Sequence, residues 1–257
     1  MCLVLLALQA HPDVPLLLAG NRDEYHSRPA APPAVIQYNP RIYAGRDLEA
    51  GGTWMGRNEH GMMAALTNRH VSPRPAPRNV QSRGGIVTGL LQHARLRDAR
   101  AWLEGLDMAT YRPFNVLFGD AGRFYYFTSE ERQPPREIAP GFHALSNYSL
   151  DDQSWPKVAR SLNFLQQSQE RDGEALLTGM QLFLGDATQP DDLQSDDPTE
   201  EIHGALGAVF IRSPGYGTVS STILTSGGTL GERYYFAEGK RLGENPAGAF
   251  ERIDFDL

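Results

Sequence analysis

The sequence predicts an α+β protein: a four-layer αββα sandwich in which two antiparallel sheets lie between helical layers. Three observations support this fold class. The predicted strands come in blocks of hairpins, pairs of helices interrupt those blocks, and the strict alternation of strand and helix that a parallel sheet requires is absent. No linker or change in composition marks a domain boundary, so we expect a single domain spanning residues 1–257.

The first predicted element is a β-hairpin. Two apolar runs, Leu3–Leu8 and residues 15–19, flank the turn signal Pro12-Asp13. The first run is apolar without alternation, which indicates a strand covered on both faces, as an inner sheet of such a sandwich would be.

Strands and then a helix pair make up the rest of the first half. Residues 28–33 are rich in proline and alanine, which indicates a loop or an extended segment. The glycines at 51 and 52 indicate a tight turn before a second hairpin. Asp98 is expected to cap the second of two helices. The further predictions are strands at 43–47, 51–56 and 62–67, a surface loop at 69–80, helices at 82–94 and 98–106, and strands at 114–119 and 124–128.

The second half repeats this order of strand, helix pair and strands. Residues 185–201 hold seven acidic residues and two prolines, which indicates a solvated loop and not a metal site. The remaining predictions are a strand at 142–146, helices at 155–169 and 173–184, and strands at 206–212, 218–225 and 233–237.

The composition excludes several classes of protein. The hydrophobic content of 40% is typical of a globular chain with a large core, and the net charge of −7 makes nucleic acid an unexpected partner. Cys2 is the only cysteine, which excludes an intrachain disulfide and a Cys-rich metal centre. Leu3–Leu8 is too short for a signal sequence, and no apolar run reaches about 18 residues. We therefore expect a cytoplasmic protein with no stable membrane insertion.

The first hairpin brings Cys2 to two charged residues. If the chain folds back at Pro12-Asp13, the facing positions sum to roughly 24 to 25, which places Cys2 opposite Arg22 or Asp23 with Cβ atoms about 5 Å apart. A slip of one residue exchanges which of the two shares the face of Cys2.

Cys2 also becomes the chain terminus if Met1 is removed, as methionine aminopeptidase generally does before a small side chain. The free α-amino group can then act as general base for the thiol beside it. Arg22 can hold the thiolate, and Asp23 can orient the ammonium form. A free cysteine that merely begins a buried strand is the alternative, and the charged neighbours favour chemistry.

These residues resemble the NRDE family, which includes Transport and Golgi organization protein 2 and is named for the tetrapeptide that stands here at residues 21–24. The resemblance covers nearly the whole chain. Family members often have an arginine where this chain has Val219. The other matching motifs are Met1-Cys2, Gly51-Gly52-Thr53-Trp54, Ala65-Leu66-Thr67-Asn68, Leu145-Ser146-Asn147, and Gly217-Thr218 followed by Ser220-Ser221-Thr222.

The family in turn resembles N-terminal nucleophile hydrolases of the choloylglycine and penicillin V acylase type, which also begin with Met-Cys and have the αββα fold. This resemblance implies that Cys2 is the nucleophile and that Arg22 and Asp23 flank it. It also implies that Asn68 and Asn147 donate hydrogen bonds to the oxyanion of the reaction.

Other polar residues have more than one interpretation. Asn68 and Asn147 also suit simple turn caps at the ends of strands. Arg212 resembles in its placement an arginine that contacts the nucleophile region in the acylases. We expect Asn115 to satisfy backbone groups.

Two functions remain open at this point. The first is a cysteine hydrolase that acts on an amide or thioester acyl substrate and requires no cofactor. The second is a carrier or trafficking protein that binds haem, an acyl-lipid or acyl-CoA in the same pocket without turnover, with Cys2, His60 or His70 as the axial ligand of haem. The expected partner is a small acyl substrate or a hydrophobic cofactor. The seven histidines form none of the usual metal-binding spacings, so no metal is expected.

Overall fold

The computed structural model describes residues 2–71, 80–131, 133–190 and 205–255, which fall into two compact units. The first unit holds the amino-terminal segment up to Ser27, Gly141–Ser146 and Leu150–Asp254, and the second holds Arg28–Pro140, Asn147–Ser149 and Phe255. In chain order the strands are β1 (Leu3–Leu8), β2 (Leu16–Tyr25), β3 (Ala30–Tyr38), β4 (Arg41–Asp47), β5 (Met55–Asn58), β6 (Met63–Asn68), β7 (Phe114–Gly119), β8 (Phe124–Thr128), β9 (Arg136–Ile138), β10 (Gly141–Leu145), β11 (Tyr216–Ser226), β12 (Arg233–Glu238) and β13 (Glu251–Arg252). The helices are α1 (Gly84–Leu91), α2 (Leu96–Glu104), α3 (Pro156–Gln167), α4 (Gly173–Leu184), α5 (Gly239–Glu244) and α6 (Pro246–Ala249).

The first unit is built on a six-stranded sheet with the order β10-β1-β2-β11-β12-β13, and its ladders are antiparallel. In the β1–β2 hairpin Leu3 pairs with Asn21 and Leu8 pairs with Leu16, so the paired residue numbers sum to 24. This register agrees with the predicted one. Every residue of β1 is buried, which confirms the prediction of a strand covered on both faces.

One face of this sheet packs on α3 and α4. Leu3 and Leu5 of β1 and Ala19 of β2 share a core cluster with Leu165 of α3 and Met180 of α4. The apolar residues of β1 at these alternate positions therefore supply the helix-facing side of the sheet.

The second unit is a seven-stranded meander, with the strand order β3-β4-β5-β6-β7-β8-β9. Its core cluster joins Leu66 of β6 and Val116 of β7 to the helix residues Ile86, Leu90 and Leu103. The strands predicted at 114–119 and 124–128 are confirmed, as is the hairpin that joins β5 to β6.

The extended alternative predicted for residues 28–33 is confirmed from residue 30 onward. These residues begin β3, an edge strand in which Pro32 and Pro33 lie where the pairing with β4 shifts register. Proline is tolerated at such positions because no ladder hydrogen bond is lost there. The prediction of Asp98 as a helix cap is wrong, since α2 begins one turn earlier, after Arg95.

The strand predicted at 206–212 is also wrong. Residues 205–207 are helical, and Arg212 makes only an isolated bridge with Gly217. Val209 and Phe210 are nevertheless buried in core clusters. A short apolar run of this kind does not distinguish a strand from other buried structure. Residues 72–79 of the predicted surface loop and 191–201 of the acidic segment lie outside the described residues.

No helix in the described part of the chain combines the length and the apolar character that crossing a membrane requires.

Candidate active site

The candidate nucleophile lies at the open end of the first hairpin. Because Leu3 pairs with Asn21, continuing the register by one residue places Cys2 opposite Arg22. On its other side Arg22 pairs with Ser220 of β11. Paired residues in an antiparallel sheet point to the same face, with Cβ atoms about 5 Å apart. Cys2, Arg22 and Ser220 therefore form one row across three strands, which we call the Cys2 row.

The side chains of the Cys2 row differ in exposure. Arg22 and Ser220 are buried, whereas Cys2 is partly exposed. The Ser146 hydroxyl donates a hydrogen bond of 3.2 Å to the carbonyl oxygen of Cys2, which ties the start of β1 to the segment that follows β10. The Cys2 row thus combines a partly exposed thiol with a buried arginine on the neighbouring strand.

Asp23 lies on the other face of β2. Side chains alternate along a strand, so Asp23 points away from the face that carries Arg22, and its partner across the sheet is Thr218. The register therefore decides what the sequence left open: Arg22 shares the face of Cys2, and Asp23 is one residue further along β2 on the helix-facing side.

Asp23 forms a buried ion pair with Lys157 in the first turn of α3. The Lys157 ammonium nitrogen is 3.4 Å from Asp23 Oδ2, and neither side chain is exposed. The Thr218 hydroxyl donates to Asp23 Oδ1 over 2.7 Å and accepts a hydrogen bond from the Ile211 backbone N–H. This second bond fixes the direction of the hydroxyl proton. Both oxygens of the carboxyl group thus face a donor.

Burial is the largest influence on the acidity of Asp23, and it raises the pKa of the carboxyl above its ordinary value of 3.8. The charge of Lys157 and the hydrogen bond from Thr218 lower the pKa by stabilising the carboxylate. The helix dipole disfavours a cation in the first turn of α3, so the position of Lys157 in turn depends on Asp23.

Asn21, the first residue of the tetrapeptide, braces the sheet against the helical side of the unit. Its amide nitrogen donates to the carbonyl oxygens of Leu184 and Val209, each over 2.9 Å, and its amide oxygen accepts from the Ser221 hydroxyl. The motif therefore alternates along β2, with Asn21 and Asp23 facing the helices and Arg22 facing the Cys2 row.

The structure brings the two candidate oxyanion donors together in the second unit. The Asn147 amide nitrogen donates to the backbone carbonyl of Asn68 over 2.6 Å, and the Asn147 carbonyl accepts from the His70 backbone N–H. Asn147 is buried, and its amide oxygen has no hydrogen-bond partner within the described ranges. Asn68 is exposed. Asn115 is fully buried and donates to the Tyr148 carbonyl, as predicted.

Arg212 does not have the predicted surroundings. It is exposed, donates to the Gly243 carbonyl and lies over the ring of Phe210. Of the candidate haem ligands, His60 is exposed and the His70 ring lies 5.5 Å from that of Tyr148. Among the described residues no group of three or more His, Cys, Asp or Glu side chains suits a metal ion.

A cavity of about 730 Å³ lies in the second unit, near the carboxyl end of β8. Phe127, Glu131 and Pro134 are among its lining residues, and no predicted site residue is. It therefore adds nothing to the chemistry argued for Cys2.

Sequence analysis did not identify Lys157 or Ser220. Lysine side chains are usually exposed, so the sequence alone offered no reason to place Lys157 in the interior. Its spacing from Ser161 and Leu165 is that of one helix face, and the structure shows that all three residues are buried. Ser220 becomes informative only through its pairing with Arg22, which the sequence does not show.

Comparison with known proteins identifies the family. The family model described as Transport and Golgi organisation 2 matches residues 1–238. The chain belongs to this family. A Transport and Golgi organization protein 2 homolog from Bos taurus is 31% identical over 251 residues, with 90% of this chain and 88% of the homolog covered. The Homo sapiens homolog is 30% identical over 228 residues, with 81% of each chain covered.

Solved structures confirm the fold of this member of the Transport and Golgi organisation 2 family. A variant of conjugated bile acid hydrolase from Clostridium perfringens has a TM-score of 0.53 and 12% identity, with 98% of this chain and 92% of that chain covered. An N-acylethanolamine-hydrolyzing acid amidase ortholog from Caenorhabditis elegans has a TM-score of 0.52 and 10% identity, with 98% and 100% covered. This likeness over nearly the whole chain, together with the two antiparallel sheets and the helices, confirms the predicted α+β αββα fold class.

Proposed function

We propose that this protein is a cysteine hydrolase of an amide or thioester acyl substrate, with Cys2 as its N-terminal nucleophile. The observation that carries the proposal is the Cys2 row, in which the register of the first hairpin, extended by one residue, places a partly exposed thiol opposite a buried arginine. The likeness of fold to two proteins named as hydrolases supports it.

The reaction begins once Met1 has been removed. The α-amino group of Cys2 takes the proton of its own thiol, and the thiolate attacks the substrate carbonyl. Collapse of the tetrahedral intermediate expels the amine or thiol, which takes the proton from the ammonium, and leaves Cys2 acylated. Water then attacks the acyl-enzyme, the amine again acts as base, and the free acid departs. Arg22 favours the thiolate form that starts the sequence.

The two charged groups of the Asp23–Lys157 pair support the terminus in this scheme. Asp23 orients the ammonium form of the Cys2 amine, and Lys157 together with Thr218 counteracts the effect of burial by stabilising the carboxylate form of Asp23. Lys157 is thus a positioning residue, which acts through Asp23 and does not touch the substrate.

Asn68 and Asn147 are proposed as donors to the oxyanion, on the resemblance of their motifs to those of the acylases. An amide nitrogen has two protons, and the Asn147 amide donates one to the Asn68 carbonyl, so the second is available for a developing negative charge. Loss of one such donor costs about 10²–10³ in rate in a protease where it was measured.

A panel of p-nitrophenyl esters, acyl thioesters and acyl amides tests the proposal. We expect turnover by the mature protein, its loss in Cys2→Ala, and a strongly reduced rate in Cys2→Ser, which permits the same removal of Met1. A haemin titration of the same variants is the counter-test. A Soret band that disappears in Cys2→Ala, His60→Ala or His70→Ala, without turnover of any acyl probe, would favour the carrier function.

A further inference from the structure

Ser220 carries a buried hydroxyl that makes no hydrogen bond within the part of the chain that the structure describes. The residue is 5% exposed, and within the described ranges its Oγ has no hydrogen-bond partner. Buried polar groups are almost always satisfied in native proteins, so each exception calls for a specific reason. A group that binds a ligand is one such reason.

The hydroxyls of β11 on either side of Ser220 have partners. Ser221 donates to Asn21 Oδ1, and Thr218 donates to Asp23 Oδ1. Both of these residues lie on the helix-facing side of the sheet. Of the three hydroxyls, the one without a partner is the one in the Cys2 row.

The position of Ser220 in that row defines what its hydroxyl can reach. Adjacent strands lie about 4.8 Å apart, so Ser220 is about 9–10 Å from Cys2, with Arg22 between them. This separation is too long for a hydrogen bond to the thiolate. It suits a second contact with a substrate whose carbonyl carbon lies at Cys2.

Arg22 and Ser220 together favour the binding of an anion. A guanidinium and a hydroxyl side by side supply charge-assisted and neutral donors to the two oxygens of a carboxylate. Arg22 has five N–H donors in a planar fork, so it can contact both the thiolate and a carboxylate beside it.

We propose that Ser220 determines specificity: its hydroxyl donates to a carboxylate that the acyl substrate carries about six atoms from the scissile carbonyl, next to the Arg22 guanidinium. The inference rests on the proposed function, because it takes Cys2 as the nucleophile. It adds a substrate class, acyl chains with a distal anionic oxygen group.

Two activated esters of equal chain length test this assignment, p-nitrophenyl hexanoate and mono-p-nitrophenyl adipate. We expect the wild-type protein to prefer the adipate. We expect Ser220→Ala to lower the ratio of the kcat/KM value for the adipate to that for the hexanoate by about tenfold. Ser221→Ala is the matched control: it lowers the thermal midpoint by removing the bond to Asn21, and the ratio stays at the wild-type value. Ser220→Ala does not lower the thermal midpoint.

Binding to Cys2→Ala separates this inference from the hydrolase proposal. Calorimetry with monomethyl adipate and methyl hexanoate requires no turnover, and adding Ser220→Ala to Cys2→Ala is expected to weaken adipate binding about tenfold. If Ser220→Ala weakens adipate binding in this way but no ester acylates the wild-type protein, the hydrolase proposal is wrong and the Ser220 site stands. A wild-type protein without preference for adipate, or a preference that Ser220→Ala leaves unchanged, overturns the inference.

Discussion

The Lys157 ammonium lies 3.4 Å from Asp23 Oδ2, and both side chains are inaccessible to solvent. A single charge in such a place is costly, and it is tolerated only beside an opposite charge with further hydrogen bonds. Thr218 supplies one such bond, and the Tyr216 hydroxyl donates to the Asp23 backbone carbonyl. The third residue of the tetrapeptide is thereby tied to the first turn of α3.

Lys157→Met removes the charge that faces Asp23 and roughly conserves the length of the side chain. We expect the free energy of unfolding near pH 7 to fall by about 3–5 kcal/mol, because a carboxylate remains buried without its counter-charge. Asp23→Asn combined with Lys157→Met leaves no charge on either member of this pair, and we expect it to recover most of the loss. Urea denaturation measures all three proteins. Equal destabilisation of the single and the double variant would contradict the pairing.

The loss of unfolding free energy caused by Lys157→Met is expected to depend on pH in a defined direction. Burial raises the pKa of Asp23, so the folded protein holds this proton more tightly than the unfolded chain does. Such a carboxyl stabilises the fold fully below its unfolded pKa, and the contribution is lost as pH rises through the folded value. Without Lys157 the pKa of Asp23 rises further. We therefore expect Lys157→Met to lose more unfolding free energy at about pH 7 than at about pH 5. Urea midpoints at the two pH values, with the double variant as reference, check the sign; a deficit that grows on acidification is the opposite result.

Asn21→Ala removes three hydrogen bonds at the helix-facing side of β2. The carbonyls of Leu184 and Val209 and the Ser221 hydroxyl lose their partner, and we expect the free energy of unfolding to fall by about 2–4 kcal/mol. Asn163→Ala, at an exposed asparagine of α3, is the control and is expected to stay within about 0.5 kcal/mol of wild type. Similar small effects at both positions would show that Asn21 does not brace the sheet.

Arg22→Leu removes the guanidinium from the Cys2 row. We expect alkylation of Cys2 by iodoacetamide near pH 7 to slow by about tenfold, because the sulfur loses a neighbouring cation. Arg212→Leu removes an exposed arginine bound to Gly243 and is expected to leave the alkylation profile unchanged. If both variants behave alike, Arg22 does not act on the thiol.

The register of the first hairpin was predictable because it depends on local information. The turn signal at Pro12-Asp13 and the two apolar runs fix which residues face each other, and Leu3 pairs with Asn21 as that arithmetic requires. Helices with clear periodicity were predictable for the same reason, and α4 has the bounds expected for it, Gly173–Leu184.

The remainder depends on contacts between residues far apart in the chain. Asp23 and Lys157 are separated by 134 positions and Asn68 and Asn147 by 79, so spacing alone gives no sign that they meet. A motif resemblance pointed to the two asparagines, whereas nothing pointed to Lys157 except its helical spacing. The prolines that open β3 left the choice between a loop and a strand undecided, because proline weakens a central strand but is accepted at an edge.

The most direct test of Cys2 as an N-terminal nucleophile is the intact mass of the protein, quenched in acid seconds after mixing with p-nitrophenyl hexanoate and followed by fragmentation. We predict a chain that lacks Met1 and carries one hexanoyl group, located on residue 2. A chain that retains Met1, or a hexanoyl group located on any other residue, would contradict the account.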